Sequence, residues 1–308
     1  MNKKLLIFAL IFAIIVLAGC SSGTKPSPGD FRKGTKGLTM SFIPGTPPDK
    51  FLGEGKLTLA IQIKNEGATT VDSGNIYISG FDKSIITGMK EADGISKLGG
   101  LAAFDPVGET EIKQFDGQVI LAGNIDTHKP TFLATACYDY ETIASPIVCI
   151  DSDPFSVRSR EKVCTTSDVT LSGGQGAPVA VTNVQLSPTT EKLRFSIELE
   201  NAGGGDVYQK GDQNCNPYSG QELSFQERDL IRIDEVKVSN IDITGSCKPL
   251  TDGYIKLIGG KRTIFCELDL GSSGLSKSPA FSTPLTMKFS YGYTNSIRKT
   301  IEIVRIPS

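Results

Sequence analysis

The chain has 308 residues, 39% hydrophobic and 21% charged, with 33 glycines, no tryptophan and a single histidine. Its 32 Lys and Arg face 34 Asp and Glu, a formal charge of −2 that excludes the clustered basic surface of a nucleic-acid binder. The apolar content is ordinary for a globular chain, and the length supports one large domain or two medium ones.

Lys3 and Lys4 precede an uninterrupted apolar run from Leu5 to Ala18, which leads into Gly19 and Cys20. That layout predicts a secretory signal over residues 1–19. The run is shorter than the roughly 18–20 residues a helix needs to cross a bilayer. The stretch "VLAGC" resembles the lipobox of bacterial and archaeal lipoproteins, in which cleavage precedes the cysteine and its sulfur takes a lipid. By that resemblance the mature chain begins at Cys20, and the protein is exported and anchored to the outer face of the cell membrane through a lipid on Cys20. Ser21 to Gly37, "SSGTKPSPGDFRKGTKG", has one aromatic and no aliphatic side chain. It buries too little to offset ordering its backbone, so residues 20–37 are expected to be a flexible tether with a reach of roughly 20–25 Å.

The next informative stretch is Leu57 to Val71, "LTLAIQIKNEGATTV", where Leu57, Leu59, Ile61 and Ile63 alternate with more polar residues. Period two predicts a half-buried strand, and Asn65-Glu66-Gly67 reads as the turn that ends it. The same pattern returns without a gap 136 residues later as Leu193 to Val207, "LRFSIELENAGGGDV". Leu57/Leu193, Ile61/Ile197, Asn65/Asn201, Gly67/Gly203 and Val71/Val207 are identical. A second pair of segments, 132–150 and 285–304, carries Tyr138-x-Tyr140 and Tyr291-x-Tyr293, each read as a strand, a polar turn and a closing strand. Here the offset is 153, so the second copy has gained 17 residues, assigned to the polar loop Gln209 to Gln221. Such self-similarity predicts two copies of one domain. The fold class expected is all-β: two tandem immunoglobulin-like β-sandwich domains at 38–150 and 178–308, each with its own core. Residues 151–177 form the linker, with Ser172 to Ala177, "SGGQGA", as its hinge.

Residues able to do chemistry are sparse. His128 lies in the polar stretch "NIDTHKP" and is read as a solvated loop histidine, and no Gly-x-Ser-x-Gly elbow accompanies it. Neither Cys-x-x-Cys nor a His pair offers zinc closely spaced ligands. The Gly-rich 172–178 stretch lacks the Gly-Lys-Ser/Thr of a phosphate loop. Asp151/Asp153 and Asp234/Glu235 fit no twelve-residue calcium loop and are read as surface acids. The Tyr-x-Tyr pairs put two rings on one strand face, which reads as core. No catalytic, cofactor-binding or metal-binding residue is assigned, and the protein is expected not to be an enzyme.

Beyond Cys20, six cysteines remain: Cys137, Cys149, Cys164, Cys215, Cys247 and Cys266. In an exported chain an even number predicts three disulfides. Cys137 and Cys149 are equidistant from residue 143, so a hairpin centred there would oppose them. Cys247 and Cys266 fall on neighbouring candidate strands, which leaves Cys164 to join Cys215. A rival pairing joins Cys149 to Cys164 and leaves Cys137 to find another partner.

A strand closing on Asn-x-Gly-x-x-x-Val inside a secreted repeat resembles CARDB-type adhesion-related modules, which are immunoglobulin-like. Together with "SGFD", "GGQGAPVAVTNV" and "CYDYE", the chain is similar to surface lipoproteins of archaea. The resemblance implies an all-β, envelope-facing protein and transfers no catalytic residue. The function expected is a lipid-anchored cell-surface protein whose modules serve adhesion, envelope structure or protein–protein interaction, its partner an envelope or surface protein or a glycan. The alternatives are a surface hydrolase with a carboxylate site on the sandwich loops, or a ligand-capture lipoprotein feeding a transporter.

Overall fold

The computed structural model describes residues 31–121, 123, 125–155, 162–211, 215–216, 223–276 and 278–306. The expected signal (1–19), Cys20 and the tether up to residue 30 lie outside the described residues. Among those described, no helix is long and apolar enough to cross a membrane. The first half supplies β1 (Leu38–Phe42), β2 (Lys50–Leu52), β3 (Gly55–Asn65), β4 (Gly74–Ser79), β5 (Ile86–Thr87), β6 (Ala92–Ile95), β7 (Thr110–Val119), β8 (Thr127–His128), β9 (Thr131–Ala144) and β10 (Ile147–Ile150). The second supplies β11 (Val169–Thr170), β12 (Val179–Pro188), β13 (Lys192–Asn201), β14 (Asp206–Tyr208), β15 (Leu230–Val238), β16 (Ile241–Asp242), β17 (Tyr254–Lys256), β18 (Lys261–Asp269), β19 (Phe281–Thr300) and β20 (Glu302–Val304).

The fold is all-β, as the alternation predicts. Leu57, Leu59, Ile61 and Ile63 of β3, and Leu193, Phe195, Ile197 and Leu199 of β13, are all buried. Each repeat strand lies inside a four-stranded sheet, β1-β3-β7-β5 in the first half and β11-β12-β13-β18 in the second. Their apolar faces join those of a nine-stranded sheet in one buried cluster, an arrangement that fits a sandwich.

That large sheet belongs to both halves. Its main path runs β16-β15-β19-β9-β4-β6, so β9 of the first half pairs with β19 of the second. The pairing is antiparallel and covers all of β9, from Thr131↔Thr300 to Ala144↔Met287. After Ser145 and Pro146 the same register resumes at Ile147↔Pro284 and runs to Ile150↔Phe281. Segment 131–150 is therefore one long strand with a two-residue interruption, and the polar turn expected after each Tyr-x-Tyr is absent. Glu141 and Thr142 stay in the ladder.

Two expectations are corrected here. Separate cores are replaced by one cluster that runs from Leu38 through Tyr138 and Val179 to Ile303. The physical reason is edge satisfaction: β9 and β19 would otherwise each present a row of unpaired N–H and C=O groups. The C-terminal β20 also crosses back, pairing parallel with β2 and antiparallel with β8. The hinge is corrected too. Gly34 N donates to Gly173 O at 2.6 Å, Gly176 N to Gly34 O at 2.8 Å and Ala68 N to Gly176 O at 2.7 Å. Gln175 is buried, and its amide bonds both the N–H and the C=O of Val181. The Ser172–Ala177 stretch and the end of the tether are thus clamped against the first half.

Two disulfides form, Cys149–Cys164 and Cys247–Cys266. The second is the expected pair, and the first is the rival pairing. The proposed Cys137–Cys149 hairpin bridge fails because no hairpin exists. Along one strand those residues stand about 40 Å apart, at roughly 3.3 Å per residue. The Cys164–Cys215 bridge falls with it. Cys149–Cys164 closes a 15-residue loop, worth about 3 kcal/mol in the chain-entropy model. Inside that loop Lys162 Nζ reaches the buried Asp151 carboxylate at 2.6 Å.

A shared sheet and core should make unfolding all-or-none. Calorimetry of residues 31–308 is expected to give one transition whose calorimetric and van't Hoff enthalpies agree. Fragments 38–150 and 178–308, expressed separately, should lack cooperative unfolding. Two resolved transitions, or two stable fragments, would refute the shared core.

Candidate functional site

The centre of the molecule is the β9–β19 ladder. Tyr138 stands opposite Tyr293, Tyr140 opposite Tyr291, and Asp139 opposite Gly292 between them. Because Tyr138 corresponds to Tyr291 and Tyr140 to Tyr293 in the repeat, this pairing is reciprocal, and an approximate two-fold axis passes through the Asp139–Gly292 pair. Period-two geometry puts all four rings on the face that meets the small sheets. They are nearly wholly buried and touch edge to face, with centroids 5.8 Å (Tyr138–Tyr140), 6.0 Å (Tyr138–Tyr293) and 6.3 Å (Tyr291–Tyr293) apart.

Each hydroxyl secures backbone of a facing segment, and the two halves use the same plan. Leu38 N, at the start of β1, donates to Tyr138 Oη at 3.0 Å, and Val179 N, at the start of β12, donates to Tyr291 Oη at 3.1 Å. Thr69 N donates to Tyr140 Oη at 3.2 Å, and Gly205 N to Tyr293 Oη at 2.7 Å. Tyr293 in turn donates to Asn201 Oδ1 at 3.3 Å, and Tyr140 to Asn65 Oδ1 at 3.4 Å. The amide of Asn65 closes its own turn on Thr69 O at 2.8 Å, as that of Asn201 does on Gly205 O at 2.7 Å. Burial pushes all four hydroxyl pKa values up, that of Tyr293 to about 12.

This explains the glycine of Asn-x-Gly differently from turn chemistry. Neither Gly67 nor Gly203 has positive φ. A Cβ at Gly67 would collide with the Tyr140 hydroxyl, and one at Gly203 with the Tyr293 hydroxyl. The motif is a seat for a tyrosine.

On the opposite face of the ladder lie Cys137, Asp139 and Glu141 of β9 with Gly292 and Thr294 of β19. Here the two-fold is broken. The ring of Tyr208, at the end of β14, occupies the space that a Cβ at Gly292 would need. Beyond β14, Gly211 N donates to Asp139 Oδ1 at 3.0 Å, and Cys215 lies against Cys137. A cavity of about 80 Å³ lies there, lined by Cys137, Asp139, Tyr208 and Cys215 among others. Beside it a groove of about 190 Å³ is lined by Asp72, Asp139, Glu141 and Lys210. Its acids are engaged, Glu141 with Lys288 at 2.7 Å and Asp72 with Lys97 at 3.1 Å. The pocket can hold water or a small polar group, and its thiols are its only soft nucleophiles.

The other residues weighed in the sequence lie elsewhere. His128 is corrected from solvated loop to strand: it pairs with Ile303 of β20, is half-buried, and its enclosed Nε2 meets no hydrogen-bond partner. Asp151 binds Lys162, Asp234 lies 3.4 Å from Arg232, and Glu235 lies 2.7 Å from Lys237. No group of three His, Cys, Asp or Glu gathers as a metal site among the described residues. The Cys137–Cys215 neighbourhood was missed in the sequence, although both cysteines remain once Cys149 is paired with Cys164. The sequence matches no protein-family model and no curated protein.

Two measurements follow from the tyrosine centre. Tyr140→Phe leaves the Thr69 N–H without its acceptor and should cost about 1–3 kcal/mol in urea unfolding. Gly67→Ala should cost at least as much through overpacking, and wild-type stability in both would refute the seat. A tyrosine such as Tyr293, whose hydroxyl titrates near 10 unfolded but is raised to about 12 folded, binds more protons when native. Its contribution is fully present below pH 10 and is lost as pH rises through 12, so the urea midpoint should fall across that window.

Proposed function

We propose that this is a lipid-anchored cell-surface protein that presents two fused, immunoglobulin-like β-sandwich modules for adhesion, envelope structure or interaction with a surface protein or glycan. The observation that carries the reading is the junction itself. Where two lobes of a solute-capture protein would leave a deep cleft, this chain has a continuous ladder sealed by four buried tyrosines. In the polar groove beside it Glu141 and Asp72 are each matched with a lysine, and Asp139 holds the N–H of Gly211. A body built this way suits holding two surfaces at fixed separation better than closing on a ligand.

Immunoglobulin-like sandwiches also use a buried tyrosine hydroxyl to tie a corner to nearby backbone, which supports the module assignment. The address rests on the N-terminal sequence. A signal cleaved before Cys20 would leave a leash that reaches the body at Gly34, where the chain docks on Gly173 and Gly176.

Mass spectrometry of the protein from its native membrane should find a lipid adduct on a peptide that begins at Cys20. Cys20→Ser should shift the product out of the membrane fraction. An unmodified Cys20 in a chain that still carries Leu5 to Ala18 would remove the anchor from the proposal. Cross-linking on intact cells should then capture a recurrent surface neighbour, whereas turnover of a glycan or peptide by the purified protein would favour a hydrolase.

A further inference from the structure

We propose that Cys137 and Cys215 join as a third disulfide, which fastens the insertion of the second half across the two-fold axis onto the central strand of the first. Neither cysteine is disulfide-bonded in the structure, yet they are neighbours. Cys137 Sγ lies 3.0 Å from the Cys215 carbonyl oxygen, and both cysteines line the same small cavity. They also form a buried cluster of their own with Tyr77 and Tyr208, apart from the main core. Cys137 is fixed within the β9 ladder, with the Cys215 main chain directly against its sulfur. The remaining four cysteines of the folded body are already paired.

The chemistry needs an oxidant, and its class is a disulfide: oxidised glutathione in vitro, or an oxidised thiol–disulfide exchange protein outside the cell. The thiolate of one cysteine attacks the oxidant, forming a mixed disulfide and expelling one thiolate. The second cysteine, as thiolate, attacks that mixed disulfide and expels the other. The two protons lost by the cysteines end on the two released thiols, so the cysteine pair is oxidised and the oxidant reduced. In the finished fold the thiol of Cys137 is hydrogen-bonded to Cys215 and desolvated, which raises its pKa and suppresses the attacking thiolate. The bond therefore belongs to folding, before Cys215 settles beside Cys137.

The inference rests on the export reading only for the source of oxidant, and a test in vitro separates the two. The chain 31–308 is reduced in denaturant, refolded in a glutathione redox buffer, alkylated, and digested without reduction. The expected result is a peptide joining Cys137 to Cys215 alongside the other two bridges, and an intact mass lower than the reduced chain by the hydrogens of three disulfides. Completed Cys149–Cys164 and Cys247–Cys266 bridges with Cys137 and Cys215 both alkylated would overturn it, as would either residue linked elsewhere. In Cys215→Ser the other two bridges should still form, with Cys137 alkylated only after denaturation. Rapid alkylation of Cys137 in the folded variant at the same rate as in the unfolded chain would show the pair is not held together by this fold.

Discussion

The pairing of β9 with β19 is the interaction on which the rest of the molecule depends. It joins two halves into one sheet and brings four tyrosines to one point on its inner face. A buried hydroxyl without a partner costs about 1–3 kcal/mol in protein mutational data, so four at one locus would be a serious liability. Each is satisfied by backbone instead. Leu38 and Val179, at the starts of β1 and β12, and Thr69 and Gly205, in the turns that follow the repeat strands, donate to them. A demand for hydrogen bonds at the centre thereby fixes where both small sheets begin and where their central strands end.

The approximate two-fold that results is not carried through, and it breaks both at the axis itself and at the end of the chain. The β14–β15 region stands where β4 stands in the first half, but it is split after Tyr208 by the inserted chain. Tyr208 can lie across the axis only because residue 292 is glycine, while its counterpart Asp139 is free to hold the N–H of Gly211. At the other end β20 leaves the second half for β2 and β8. Each departure adds backbone bonds between the halves, and none would be possible if they swung on a linker.

Much of this was legible in the sequence, and the limits were physical. Alternation over Leu57–Ile63 and Leu193–Leu199 identified two equivalent buried strands, because a one-sided strand cannot be written otherwise. The difference of 17 residues between the two offsets sized the insertion. What repetition does not encode is contact. Tyr138-x-Tyr140 has the same period whether its neighbour is in its own half or the other, so equivalence was visible and pairing was not. The polar residues after each Tyr-x-Tyr looked like a turn, yet Thr142 is buried because its hydroxyl bonds Val179 O at 2.6 Å and sits 2.9 Å from Tyr291 Oη. That misreading produced the mistaken hairpin, and with it the mistaken Cys137–Cys149 bridge. Gly67 and Gly203 looked like turn residues for a similar reason: one sequence cannot show that a tyrosine far along the chain needs the space.

One of the two disulfides and several polar ties gather where the halves join, whereas Cys247–Cys266 lies within the second half. Cys149–Cys164 and the Asp151–Lys162 pair hold the chain as it leaves the shared strand, and Gly34, Gly173 and Gly176 pin the segment that enters the second half. Every one of these acts on the relative placement of the halves rather than on the interior of either. Two modules on a free linker gain reach, but each engagement must then pay for lost rotational freedom. Fused modules give up that reach, and their end loops approach a partner already in register. In this body the placement of the halves is set before any partner is met, and only the loops are left to adapt.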